Sequence, residues 1–95
     1  MKKIIIDTMY DMPAIETTYI GATGVKGSRV RAKSEDGKVI ISYDPHLRTI
    51  DAHKKAAVEL LKKTRPEAAE KAVLIPGWTR DGYIFLVCLV YQEVK

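Results

Sequence analysis

The chain has 95 residues, one cysteine, 46% hydrophobic residues and sixteen Lys and Arg against twelve Asp and Glu, for a formal charge of +4. These values fit one domain with a real apolar core, and the lone Cys88 excludes an internal disulfide and a thiolate zinc site built within the chain. The positive balance permits attraction to nucleic acid or another acidic partner, and its distribution along the chain matters more than its size.

Met1-Lys2-Lys3 precedes only three strongly apolar residues before Asp7, too short for the apolar core of a signal peptide, so a cytoplasmic protein is expected. Lys2 to Thr8 reads as an edge strand, with residues 1–13 as a flexible arm in the alternative. Pro13 ends that pattern because it lacks an N–H and restricts Met12. If the arm is free, Met9, Tyr10 and Met12 are candidates for a contact with a partner.

Glu16 to Ile20 is rich in strand formers, and the segment from Gly21 to Ser28 carries three glycines and reads as a loop. Arg29-Val30-Arg31-Ala32-Lys33 alternates with period two, so Val30 and Ala32 point inward if the three cations point outward. Ser34-Glu35-Asp36-Gly37 is a polar turn, with Asp36-Gly37 suited to a tight connection, and Lys38 to Tyr43 is the returning strand. Whether Val39 or Ile40 is buried depends on a register that sequence leaves open.

After Asp44-Pro45, His53, Ala56, Ala57, Leu60 and Leu61 recur at three- and four-residue intervals, which predicts an amphipathic helix from about Thr49 to Lys63. Thr49 or Asp51 could cap its start, and Lys62 and Lys63 suit its negative end. Pro66 interrupts it or opens a second short helix over Glu67 to Ala72. Val73-Leu74-Ile75 is a short apolar run stopped by Pro76-Gly77. A hairpin matching Leu74 to Phe85, with Trp78 near its tip, leads into Tyr83 to Tyr91, the most apolar stretch and the expected central strand. Tyr83, Phe85, Val87, Leu89 and Tyr91 lie on one face of that strand. Ile84, Leu86, Cys88 and Val90 lie on the other, with Cys88 expected as a small buried hydrophobe.

These elements predict one small α+β domain spanning residues 1–95: an antiparallel β-sheet of four to five strands with one main helix packed on one face. One helix cannot cover both faces of the Tyr83 to Tyr91 strand. Sheet curvature, the second helical segment or a homodimer interface must supply the rest, and a dimer is favoured.

The candidate chemistry lies on the hairpin. Lys26, Arg29, Arg31, Lys33 and Lys38 form an array able to contact successive phosphates, the Gly24 to Ser28 loop offers backbone donors, and Tyr43 and Trp78, with Tyr19, are candidates to stack exposed bases. The competing view is that any two-stranded ribbon keeps a charged outer face for solubility. A phosphate-loop reading of Gly21 to Ser28 fails, because the glycine-lysine-serine adjacency is missing and a strand follows. Asp44, His46, Asp51 and His53 are the one cluster of acids and histidines, and would be the ligands of a metal-dependent hydrolase. Each also has a routine structural role as turn residue, cap or semi-buried helix residue. No nucleophile elbow is present. No enzyme activity, catalytic residue, cofactor or metal is therefore expected.

Lys26 to Ala32, Val39 to Asp44, and His53 with Ala56-Ala57 ahead of Leu60 resemble, over residues 17–62, small uncharacterised proteins of plasmids, phages and proteobacterial genomes. The resemblance implies an accessory role in a mobile element, DNA-linked or anti-defence, and supplies no activity or catalytic residues. The expectation is a nucleic-acid-binding protein, not sequence-specific and suited to single strands. The alternative is a protein-interaction or inhibitor module acting through an apolar surface, with no membrane partner in either case.

Overall fold

The computed structural model of the protein describes residues 14–89. The chain runs β1 (Ala14–Ile20), β2 (Arg29–Ser34), β3 (Gly37–Ser42), α1 (Thr49–Thr64), α2 (Pro66–Lys71), β4 (Ala72–Trp78) and β5 (Gly82–Leu89). All strand pairs are antiparallel, in the order β3-β2-β1-β5-β4. The α+β fold with one main helix on the sheet is thus as the sequence predicts. The expected strand or arm over residues 1–13 and the end of the Tyr83 to Tyr91 run lie outside the described residues.

Two hairpins build the sheet, and β1 joins them. β2 and β3 meet across a two-residue connection, Glu35-Asp36, with Ser34 opposite Gly37. Asp36 N–H donates to Ser34 Oγ at 3.1 Å, and Gly37 takes a φ of 148°, a backbone region that disfavours side chains. The glycine therefore opens β3 rather than sitting inside the turn.

α1 forms because its apolar residues share one face. Ala52, His53, Ala56, Ala57, Leu60 and Leu61 are all buried. Three alanines let the helix come close to the sheet, where Ala56, Ala57, Leu60 and Leu61 pack with Ile15, Val30, Ala32, Phe85 and Val87 in one core. Neither Thr49 nor Asp51 caps the helix. Its N-cap is Arg48, without a side-chain bond, and Asp51 instead accepts Arg48 Nε–H at 2.8 Å in the first turn. At the other end Arg65 precedes Pro66 and so avoids the helical region, which stops α1 and lets Pro66 start α2.

Three expectations change. The most apolar strand, β5, is not central: β1 holds the middle because both β2 and β5 pair with it, and β5 lies between β1 and β4. Leu74 pairs with Val87, and Phe85 with Pro76, because β4 continues through Pro76-Gly77 to Trp78. An edge strand tolerates a proline whose missing donor faces away from its neighbour. Cys88 is half-buried on the face opposite α1, not a core residue.

Among the described glycines the tightest surroundings are at Gly82, which pairs with Thr18. A methyl group there would overlap the Thr17 carbonyl and lie 3.2 Å from Thr18 Cα, whereas one at Gly24 would meet nothing. Gly82→Ala is therefore expected to force β5 off β1 and cost about 3 kcal/mol or more, against at most about 0.5 kcal/mol for Gly24→Ala, as read from urea unfolding midpoints.

Candidate nucleic-acid interface

Strand alternation sorts the sheet into a face against α1 and an outer face. With Val30 and Ala32 buried, Arg29, Arg31 and Lys33 must emerge on the outer face, and the register sets Ser42, Ile40 and Lys38 opposite them. The open question of the hairpin is thereby answered: Val39 and Ile41 pack toward the core, and Ile40 lies outward, 44% exposed. On the other side of β2, the partners are Ile20, Thr18 and Glu16. Four cations thus share the face with one carboxylate. Lys33 and Lys38 sit directly opposite each other, an arrangement that costs stability rather than adding it.

The ion pairs found among the described residues are Arg48–Asp51, Lys62–Glu59 and Arg65–Asp36, so none of the four outer-face cations is in an ion pair there, although Glu16 stands opposite Lys33. Arg29 is half-buried, and its Nε has no hydrogen-bond partner among the described residues. Successive outward residues along β2 stand about 6.8 Å apart, twice the 3.4 Å per-strand charge spacing of duplex DNA.

Lys26 lies exposed in the loop at the Arg29 end of this stripe. That loop is not an open cradle of donors as expected. Thr23 Oγ1 accepts the N–H groups of Val25 (3.2 Å) and Lys26 (2.9 Å), and Thr23 N–H donates to the Lys26 carbonyl at 2.7 Å. Two of the expected phosphate donors are therefore already occupied.

The aromatic candidates lie elsewhere. Tyr43 follows the outward Ser42 and turns to the α1 side, packing edge-on against Tyr19 with ring centroids 5.4 Å apart, while Tyr19 Oη and Ser28 Oγ are 2.7 Å apart. Trp78 is 83% exposed, but it ends β4, three strand positions from β2, and pairs with Tyr83 on the parity of the covered face. The structure brings Arg29, Arg31, Lys33 and Lys38 together and leaves Tyr43 and Trp78 apart from them.

Two features escaped the sequence pattern. The first is that β4 extends the face of β5 expected to lie uncovered, with Val73 and Ile75, 48% and 44% exposed, joining half-buried Ile84, Leu86 and Cys88. The runs of apolar residues were visible, but their common face depends on the β4–β5 register. The second is a buried polar contact, a 2.7 Å hydrogen bond between Thr17 Oγ1 and His53 Nδ1. The same hydroxyl is 3.4 Å from the Tyr83 carbonyl, and the imidazole packs edge-on to the Tyr83 ring at 4.9 Å.

This placement separates the suspected metal cluster. His53 faces β1, Asp51 holds Arg48, and Asp44 Oδ1 accepts the His46 backbone N–H at 2.9 Å. Among the described residues, no three His, Cys, Asp or Glu side chains gather into a metal site. A groove of about 310 Å³ lies between the end of α1 and the β2–β3 turn, lined by the charged groups Glu35, Asp36 and Arg65, of which Asp36 and Arg65 pair at 2.6 Å. None of the described helices is long and apolar enough to cross a membrane.

Comparisons with protein-family models, curated proteins and solved structures return no match to this chain.

Burial pushes the His53 pKa below its ordinary value. The folded protein resists a proton that the unfolded chain takes up near pH 6.5, so stability is complete above about that pH and declines as pH falls through the lowered value. Urea unfolding between pH 8 and 5 should show this decline, His53→Leu should remove it, and His46→Gln should leave it in place.

Proposed function

We propose that the protein binds the nucleic-acid backbone, without sequence preference, through the outer face of the β2–β3 hairpin. The observation that carries this is the gathering of Arg29, Arg31, Lys33 and Lys38 on one face where Glu16, opposite Lys33, is the one carboxylate among the described residues and none of the four cations is in an ion pair there. The fold alone does not account for it, since the opposed Lys33 and Lys38 lower stability. Phosphates would supply the missing negative charge, and Lys26 extends the row at its Arg29 end. Phosphate contacts position a protein on the strand without reading bases, which accords with a lack of sequence preference. The location of Tyr43 and Trp78 away from the cations favours backbone contact over base stacking. The setting proposed is a reducing cytoplasm, in keeping with the unpaired Cys88.

Oligonucleotide titrations at several salt concentrations test this. Binding is expected to saturate and to weaken steeply with salt, and Arg29→Ala with Arg31→Ala should lower the slope of log K against log salt by about 0.9 for each duplex phosphate contact removed. Absence of binding at low salt, or an unchanged slope in the double variant, defeats the proposal.

A protein-interaction or inhibitor role is favoured by a different observation, the apolar half of the same face around Val73, Ile75, Ile84 and Leu86. For that role Ile75→Lys should abolish binding to a protein partner while leaving the salt-dependent oligonucleotide titration unchanged. Partner binding that survives the substitution would remove this face from consideration.

A further inference from the structure

The two edges of the sheet, as formed by the described residues, are not equivalent. β4 carries Pro76 within its length and cannot offer an uninterrupted row of donors. β3 pairs residue for residue with β2 from Gly37 to Ser42, contains no proline, and has the apolar run Val39-Ile40-Ile41 at its centre. An uninterrupted apolar edge of this kind is a template for another strand.

The hairpin turn determines which backbone groups face that edge. In a two-residue connection the flanking pair, here Ser34 and Gly37, is hydrogen-bonded, and bonded pairs then alternate along the ladder. Gly37, Val39 and Ile41 therefore turn their N–H and C=O groups toward β2, and the alternation continues to Tyr43, whose N–H donates to the Ser28 carbonyl at 3.0 Å. The groups of Lys38, Ile40 and Ser42 point off the sheet. The position of Lys63 agrees, since its Nζ, which belongs to no strand, reaches the Lys38 carbonyl at 3.4 Å.

We propose that a second copy of this chain occupies this edge, β3 antiparallel to β3, about a twofold axis at Ile40. In that register Ile40 faces the partner subunit's Ile40, Lys38 faces the partner's Ser42, and Val39 faces the partner's Ile41. All three outward-pointing residues of each strand then form bonded pairs, giving six inter-subunit hydrogen bonds, two of them to Lys38 carbonyls that Lys63 Nζ also reaches. Moving the axis to Val39 or Ile41 leaves one outward residue of each strand without a strand partner, and moving it by half a residue sets core-side residues against outer-face ones. No lysine meets a lysine across the seam. The strand is thus self-complementary in hydrogen bonding, in charge and in apolar contact, which is what an isologous interface requires.

An axis perpendicular to the sheet keeps both outer faces on one side. The dimer sets Arg29, Arg31, Lys33 and Lys38 of both copies on a continuous ten-stranded surface, the two β2 strands about 14 Å apart. Dimerisation rests on the edge alone and does not depend on what the cations bind.

Sedimentation equilibrium of the full chain should give a concentration-dependent mass approaching twice 10.7 kDa. Ile40→Pro removes a donor that no described residue of the subunit accepts, and Ile40→Lys sets like charges across the axis. Both should be monomeric with unchanged far-ultraviolet circular dichroism. If the proline variant fails to fold, the lysine variant decides. In a Cys88→Ser background, Ile40→Cys should form an intermolecular disulfide on mild oxidation, because bonded cross-strand pairs lie about 5.5 Å apart, and Lys38→Cys should not. A wild-type chain that stays monomeric at submillimolar concentration overturns the proposal. So does a dimer that survives Ile40→Lys, or one abolished by Val73→Lys on β4.

Discussion

Sixteen residues of α1 lie against one face of a five-stranded sheet, and the contact of Ala56, Ala57, Leu60 and Leu61 with Ile15, Val30, Ala32, Phe85 and Val87 supplies the core. Truncating Leu60 or Phe85, both almost wholly buried, would remove roughly 2–5 kcal/mol, a large share of the stability of a domain this size. Every other property of the surface follows from where that helix is and is not. Inward residues of β2 and β3 are held under or beside it, so their cations must emerge on the far side.

The far side is consequently divided. At the β3–β2 end it carries Lys38, Lys33, Arg31 and Arg29, and at the β5–β4 end it carries Ile84, Leu86, Val73 and Ile75, with Glu16 and Thr18 of β1 between them. Like charges brought into register add nothing to the fold, and exposed branched residues add little. A face that costs stability at one end and leaves apolar area in water at the other is better explained by what it contacts than by what it holds together. The sheet edges differ in the same sense: one is interrupted by proline, whereas the other is regular and apolar.

Within the core, Thr17 and His53 add a directional constraint to otherwise non-directional packing. Their hydrogen bond links the central strand to the second turn of α1, and the edge-on contact of His53 with Tyr83 extends the link to β5. Apolar side chains tolerate some sliding of a helix over a sheet, but a buried pair of polar atoms is satisfied in only one relative position. The same burial pushes the His53 pKa down and so favours the uncharged imidazole that the contact with Thr17 uses.

Local alternation and spacing determined much of this protein. The period-two run from Arg29 to Lys33, the polar turn at Ser34 to Gly37, the helical spacing of His53, Ala56, Ala57, Leu60 and Leu61, and the restriction before Pro66 all act between near neighbours, and each yielded the element it implied. The tertiary structure decided what depends on distant partners. It placed β1 rather than β5 at the centre of the sheet. It carried β4 through Pro76 because that strand is an edge. It also turned Ile40 outward and Tyr43 inward, closed the Gly24 to Ser28 loop on Thr23, and set Thr17 against His53 across 36 positions of sequence. The basic stripe was legible because alternation alone puts three cations on one side. Its separation from Tyr43 and Trp78 was not, because strand order and register arise from long-range pairing that a local pattern does not encode.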